Sequence, residues 1–64
     1  MKKKNNTIKK NLNELNIGTI FFIVEDYCVG EIVVINGVKK IKEQLSKQIF
    51  DIPNEPVEII LKNY

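Results

Sequence analysis

The apolar residues of this chain are concentrated at residues 17–37, which read IGTIFFIVEDYCVGEIVVING. β-Branched and aromatic residues of this kind favour strands, and the polar interruption DYCVG separates two apolar runs. The pattern predicts a β-hairpin with strands at about residues 18–25 and 31–36, with Gly30 taking a positive φ in the turn. Both runs are apolar on both faces, so one face of this hairpin requires a second cover.

The period changes after the turn dipeptide Asn36-Gly37. Apolar residues then recur at helical spacing, with lysines and a glutamate between them, at Val38, Ile41, Leu45 and Ile49. This spacing predicts an amphipathic helix over about residues 38–50. Pro53 and Pro56 end the helical pattern, and the alternation that follows over residues 57–62 predicts a last strand.

A weaker helical stripe precedes the hairpin. Ile8, Leu12 and Leu15 lie at i, i+4 and i+7, which predicts a short helix over about residues 6–16, with Asn6 or Thr7 at its start. Such a helix is too short and too rich in asparagine to be stable alone. It would form only against a surface that its three apolar residues can cover.

These elements predict an α+β fold of (α)ββαβ order. It contains a three-stranded, mainly antiparallel sheet, one amphipathic helix on one face and a short helix at the N terminus. We favour the strand order 2-1-3, because the first strand is the most apolar; the alternative places the last strand parallel to the second. Residues 1–6 are predicted to be a basic flexible tail, and residues 7–64 a single small domain.

Composition supports a sheet, because eleven Ile and six Val stand against four Leu and no Ala. The net charge of +2 conceals an asymmetry. Residues 1–10 hold five lysines and no acid, whereas the rest of the chain holds five lysines and eight acids. All ten basic residues are lysines, so the planar fork with which arginine binds phosphate and guanine is missing.

The inventory of reactive side chains argues against an enzyme. The chain has no His, one Cys and one Ser, Ser46, and its three glycines form no phosphate-binding loop. We therefore expect no catalytic residue, no cofactor, no metal and no small-molecule substrate. Cys28 is expected to be an unreactive thiol, because Asp26 and Glu31 nearby would raise its pKa.

No segment of the sequence suggests a membrane protein. The longest uninterrupted apolar run is Ile20–Val24, far short of the ~20 residues of a membrane span. The lysines at the start are followed by polar residues rather than by the apolar core of a signal peptide. With a single cysteine as well, the chain is expected to be cytoplasmic.

The second face of the hairpin is the candidate site. It carries large apolar residues and an acidic rim: Ile20, Phe22, Val24 and Ile60, with Glu25 and Asp26. Such a patch marks an interaction surface in most soluble proteins. The N-terminal helix, a second copy of the chain or a different protein could cover it. The leading hypothesis is thus a non-enzymatic protein-binding module, and a homodimer is expected if the partner is the chain itself.

Two other functions stay open. The first is a nucleic-acid accessory protein that attracts phosphates weakly through the N-terminal lysines Lys2, Lys3, Lys4, Lys9 and Lys10. The second is a structural subunit of a larger assembly. The aromatic residues lie outside the lysine tail, which weighs against stacking of bases there.

The order of elements over about residues 18–62 resembles that of the small phage inhibitors of uracil-DNA glycosylase. That resemblance implies a dimeric inhibitor, although the lysines on the predicted helix are opposite in charge to those inhibitors' DNA mimicry. The abundance of Lys, Ile and Asn is typical of an AT-rich coding genome. Together these points suggest an inhibitor or modulator of a host protein from a phage or mobile element.

Overall fold

The fold is nearly all-β. A computed structural model describes residues 7–61 and shows six antiparallel strands in one curled sheet, a half-barrel. The predicted α+β class is therefore wrong. The strands are β1 (Ile8–Lys10), β2 (Ile20–Ile23), β3 (Cys28–Ile35), β4 (Val38–Glu43), β5 (Ile49–Asp51) and β6 (Val57–Leu61).

The strand order is β1-β6-β2-β3-β4-β5, so the sheet has two edges, β1 and β5. β2 lies between β3 and β6. Phe21 of β2 stands opposite Gly30 on one side and Leu61 on the other. Residues paired in this way share a face of the sheet, which separates the side chains into a concave and a convex set.

The helix predicted over residues 38–50 is wrong. Asn36 and Gly37 have φ values of 53° and 77°, the two positive angles that a type I′ turn requires. This turn places Val38 opposite Ile35 and starts β4 instead of a helix. Of the four residues in the apparent helical stripe only Ile41 is buried, and Leu45 is 90% exposed.

Gly30 lies within β3 and not in the hairpin turn, and its φ is not positive. The turn occupies residues 24–27, where Tyr27 has a φ of 55°. Gly30 is needed for space, because a Cβ there would lie 2.8 Å from Cγ2 of Ile41 and 3.2 Å from Cζ of Phe21. The ring of Phe21 lies across the position that a side chain would occupy.

The N-terminal helix predicted over residues 6–16 is also wrong. The described part of this segment forms β1 and then a single 3₁₀ turn at Leu12–Glu14. The side chain of Asn11 caps this turn by accepting a hydrogen bond from the amide of Asn13 at 3.0 Å. Leu12 and Leu15 are nevertheless buried against the concave face of the sheet.

The core occupies the concave side. Its seven buried residues come from the segment after β1 and from four strands, and they are Leu12, Leu15, Phe21, Ile23, Ile32, Ile41 and Ile59. A core of this size leaves a domain only marginally stable. The basic tail predicted at residues 1–6 lies outside the described residues.

Residues 38–50 form β4, a turn and the start of β5 instead of an amphipathic helix, so the element order no longer resembles that of the glycosylase inhibitors. The expectation of a phage-type inhibitor therefore has no support from the fold. Within residues 7–61 no helix is long or apolar enough to cross a membrane.

Candidate functional site

A row of apolar side chains crosses the convex face over three neighbouring strands, β6, β2 and β3. Phe22 of β2 stands opposite Val29 of β3 on one side and Ile60 of β6 on the other. Tyr27 packs against this row, with its ring edge-on to Phe22 at a centroid separation of 5.3 Å. We call Phe22, Val29 and Ile60 the convex row. The 3₁₀ turn lies on the opposite side of the sheet, so no described element covers the row.

The structure brings most of the sequence-predicted interface residues to this face. Ile20, Phe22 and Ile60 are half-buried on the convex side, and Val24 follows at the end of β2, where its amide donates to the carbonyl of Glu58. Val29 was missed by the sequence analysis, because its strand was placed three residues too late.

Cross-strand pairs of both charges flank the convex row. Glu31 stands opposite Lys42, and Lys40 forms an ion pair with Asp51. The hydrogen bond from Lys40 is the main cause that lowers the pKa of the Asp51 carboxyl, and its charge adds to the effect. This part of the convex face is therefore mixed in charge.

The lysines proposed for nucleic-acid binding do not form a basic patch in the described part of the chain. Lys2, Lys3 and Lys4 lie outside the described residues. Lys9 stands opposite Glu58 in β1, and Lys10 lies 4.0 Å from the carboxylate of Glu14. Residues 7–61 carry six lysines and eight acids, a net charge of −2. The nucleic-acid hypothesis stays a prediction from sequence.

A second surface lies on the concave side, where the half-barrel is open between its two edge strands. A cleft of about 1090 Å³ is found there. Its floor consists of inward-facing apolar side chains from six segments: Leu12, Ile23, Cys28, Ile41, Phe50 and Val57. Pro53 and Pro56, in the connection from β5 to β6, form part of its wall.

The rim of this cleft is acidic. Six of the eight acidic residues of the chain line it, together with one basic residue, Lys9. They come from the β2–β3 turn, β4, β5, the β5–β6 connection and β6: Glu25, Asp26, Glu43, Asp51, Glu55 and Glu58. Asp51 and Glu58 lie where the cleft borders the convex face, because they stand opposite Lys40 and Lys9 on that face. Glu25 and Asp26 were predicted as an interface rim, and here they stand at the mouth of the cleft.

Glu43 organises the turn between β4 and β5. Its carboxylate accepts hydrogen bonds from the hydroxyl and the amide of Ser46, at 2.6 and 2.8 Å, and from the amide of Leu45 at 3.2 Å. These bonds favour the ionised form and lower the pKa of Glu43, the side-chain bond from Ser46 most of all. The single serine thus has a structural partner.

Cys28 opens β3 and is half-buried on the floor of the cleft. Burial raises the pKa of its thiol, and the negative charges of Asp26 and Glu43 raise it further. From the sequence, Asp26 and Glu31 were the acids expected to raise this pKa. Glu31 instead lies on the convex face, because it alternates with Gly30 along β3.

Among residues 7–61 no three His, Cys, Asp or Glu side chains are grouped so that they could hold a metal ion. No family model, no curated protein and no solved structure matched the chain.

Proposed function

We propose that this chain is a non-enzymatic protein-binding module whose convex face is its docking surface, and that a second copy of the chain occupies that surface. The observation that carries the proposal is the row formed by Phe22, Val29 and Ile60, which no described element covers. Tyr27, 83% exposed beside this row, adds an aromatic side chain of the kind enriched at protein interfaces.

The charges around the row suit a self-complementary contact. A twofold axis places the same surface on both partners, so a face of one sign would repel its copy. Here Glu31 and Lys42 lie side by side, and Lys40 lies beside Asp51. Two copies related by a twofold axis can therefore set unlike charges against each other around the apolar row.

The size of the core supports the same conclusion. The described residues bury seven side chains, a small core, and the chain's single cysteine cannot form an internal disulfide to reinforce it. Burial of the convex row against a copy would remove further apolar surface from water and stabilise the folded state by mass action. A cytoplasmic location is part of this proposal, because it fits the lone cysteine.

Sedimentation analysis of the purified chain over a range of concentrations tests the proposal. The wild type is expected to show a monomer–dimer equilibrium, and Phe22→Asp is expected to weaken it about tenfold or more, because a charge replaces a central apolar contact. Val38→Asp is the matched control, since Val38 is an exposed apolar residue near the β3–β4 turn, away from the row.

Val29→Lys provides a second variant in case Phe22→Asp does not fold, because Val29 is exposed and its replacement disturbs less packing. A wild-type chain that remains monomeric at high concentration would overturn the proposal. So would equal weakening by Phe22→Asp and Val38→Asp, which would show that the row has no special part in association.

A further inference from the structure

We propose that the concave cleft is a second binding site, and that it takes an extended, basic segment of another protein that carries apolar side chains between its cationic ones. This inference goes beyond the proposed function, because the cleft lies on the opposite face of the sheet from the convex row. Three features of the cleft argue for this occupant: its floor, its rim and the edge strand beside it.

The floor provides apolar surface that residues 7–61 leave open. Phe50 faces the concave side opposite Ile41, yet it is 48% exposed. Val57 and Cys28 are only partly buried, and both pack against the core. An apolar side chain inserted here would continue the core outward and remove this surface from water.

The rim determines the charge of the occupant. Three of its acidic side chains, those of Glu25, Asp26 and Glu55, form no ion pair with any residue between 7 and 61. Most basic side chains of the same stretch lie elsewhere, since only Lys9 reaches the cleft. Their combined negative potential favours a cationic ligand and disfavours an anionic one.

The edge strand β5 determines the conformation of the occupant. Within residues 7–61, β5 pairs with β4 on one side and has no strand on the other, so its outer backbone groups are available for pairing. An added strand there would gain main-chain hydrogen bonds and would present alternate side chains to the floor and to the rim. An extended segment of alternating basic and apolar residues satisfies both surfaces.

The dimensions also favour a chain segment over a small molecule. Small-molecule pockets have volumes of roughly 300–1,000 Å³ and enclose most of the ligand surface. This cleft has a volume of about 1090 Å³ and opens at the gap between the two edges of the half-barrel. A segment that enters along the gap can leave both of its ends in solvent.

The experiment uses a short fluorescein-labelled peptide of alternating lysine and valine as the probe. Fluorescence anisotropy measures its binding to the full chain, and alkylation of Cys28, the only thiol, reports whether the probe covers the floor. Saturable binding that weakens with added salt and slows alkylation of Cys28 is the expected result. Probes with glutamate in place of lysine, or serine in place of valine, are expected to bind at least about fivefold more weakly.

Two matched variants locate the site. Glu25→Lys reverses a charge at the mouth of the cleft, and Glu14→Lys makes the same change at a carboxylate outside it. Glu25→Lys is expected to weaken probe binding by about fivefold, the effect of losing one favourable charge contact at a partly exposed site. Glu14→Lys is expected to change it much less.

An equal loss of probe affinity in the two variants would overturn the inference, because binding would then depend only on the net charge of the protein. Binding of the serine probe as tight as that of the valine probe, or unchanged alkylation of Cys28 at saturation, would also overturn it. Phe22→Asp, which tests the convex row, is expected to leave probe binding intact, so the two proposals can fail separately.

Discussion

The ammonium group of Lys39 donates a hydrogen bond to the backbone carbonyl of Leu15 at 2.8 Å and another to that of Asn13 at 3.0 Å. Lys39 belongs to β4, whereas Leu15 follows the 3₁₀ turn near the start of the domain. One charged side chain therefore links the segment that covers the concave core to β4.

Replacement of this lysine should loosen that segment. We expect Lys39→Met to lower the free energy of unfolding by about 1 kcal/mol, because hydrogen bonds from a charged donor contribute more than neutral ones but this site is only partly buried. Urea titration measures the change. Lys42→Met, on the convex face of the same strand, is the control and should cost less.

A methyl group at Gly30 should be costly although the backbone there is ordinary. The added Cβ would meet the side chains of Ile41 and Phe21, so we expect Gly30→Ala to destabilise the fold by about 1–3 kcal/mol through overpacking. Gly37→Asn, in the β3–β4 turn where nothing lies within 4 Å, should change stability little, since asparagine tolerates a positive φ. Equal costs at the two positions would contradict this explanation.

Two substitutions separate the observed sheet from the helix predicted over residues 38–50. Ile41→Ala should lower the free energy of unfolding by about 2–5 kcal/mol, the range for truncating a buried aliphatic side chain. The free energy of unfolding of Leu45→Gln should lie within about 0.5 kcal/mol of the wild-type value, because Leu45 is exposed in the β4–β5 turn. An amphipathic helix would bury both residues, and both changes would then be costly.

Acid should weaken the turn that Glu43 organises. The pKa of Glu43 is lower in the folded chain than its usual value of 4.5, so its contribution to stability is complete above that value. The contribution is lost as the pH falls through the lower, folded-state pKa. Thermal unfolding measured over this acidic range should show that the unfolding temperature of the wild type falls as the pH is lowered. The unfolding temperature of Glu43→Gln should fall less.

The sequence contained enough information to place strands near β2, β3 and β6. Runs such as IFFI and EIVVI are β-branched and aromatic, and they are too short and too apolar on both sides to be surface helices. These strands depend on local composition, which a single sequence shows directly. The spacing of Leu12 and Leu15 made them, on a helix, one possible cover for the second face of the hairpin; they are instead buried on the concave face by a segment that is not helical.

The error over residues 38–50 came from a coincidence of spacing. Val38, Ile41 and Leu45 fit a helical stripe, but the Asn36-Gly37 dipeptide before them is a strong hairpin signal. Pairing with β3 buries Ile41 and leaves the other two in solvent, so tertiary contacts decided the outcome.

The acidic cleft could not be found from sequence for a related reason. Glu25, Glu43 and Glu55 are widely separated along the chain, and only the curl of the sheet brings their segments to one opening. The only sequence signal was that every carboxylate lies beyond residue 10. That signal indicates an acidic body but does not say where on it the charge is concentrated.

The pairing of β1 with β6 has a consequence for how the domain is made. Ile8 stands opposite Ile59, so the first strand has no neighbour until nearly the whole domain has left the ribosome. Contacts so distant in sequence are slow to form, and until then β1 is an unpaired strand with an exposed backbone. The hairpins β2–β3 and β3–β4 can assemble earlier from local contacts, whereas closure of the sheet at β1 must wait until β6 has been synthesised.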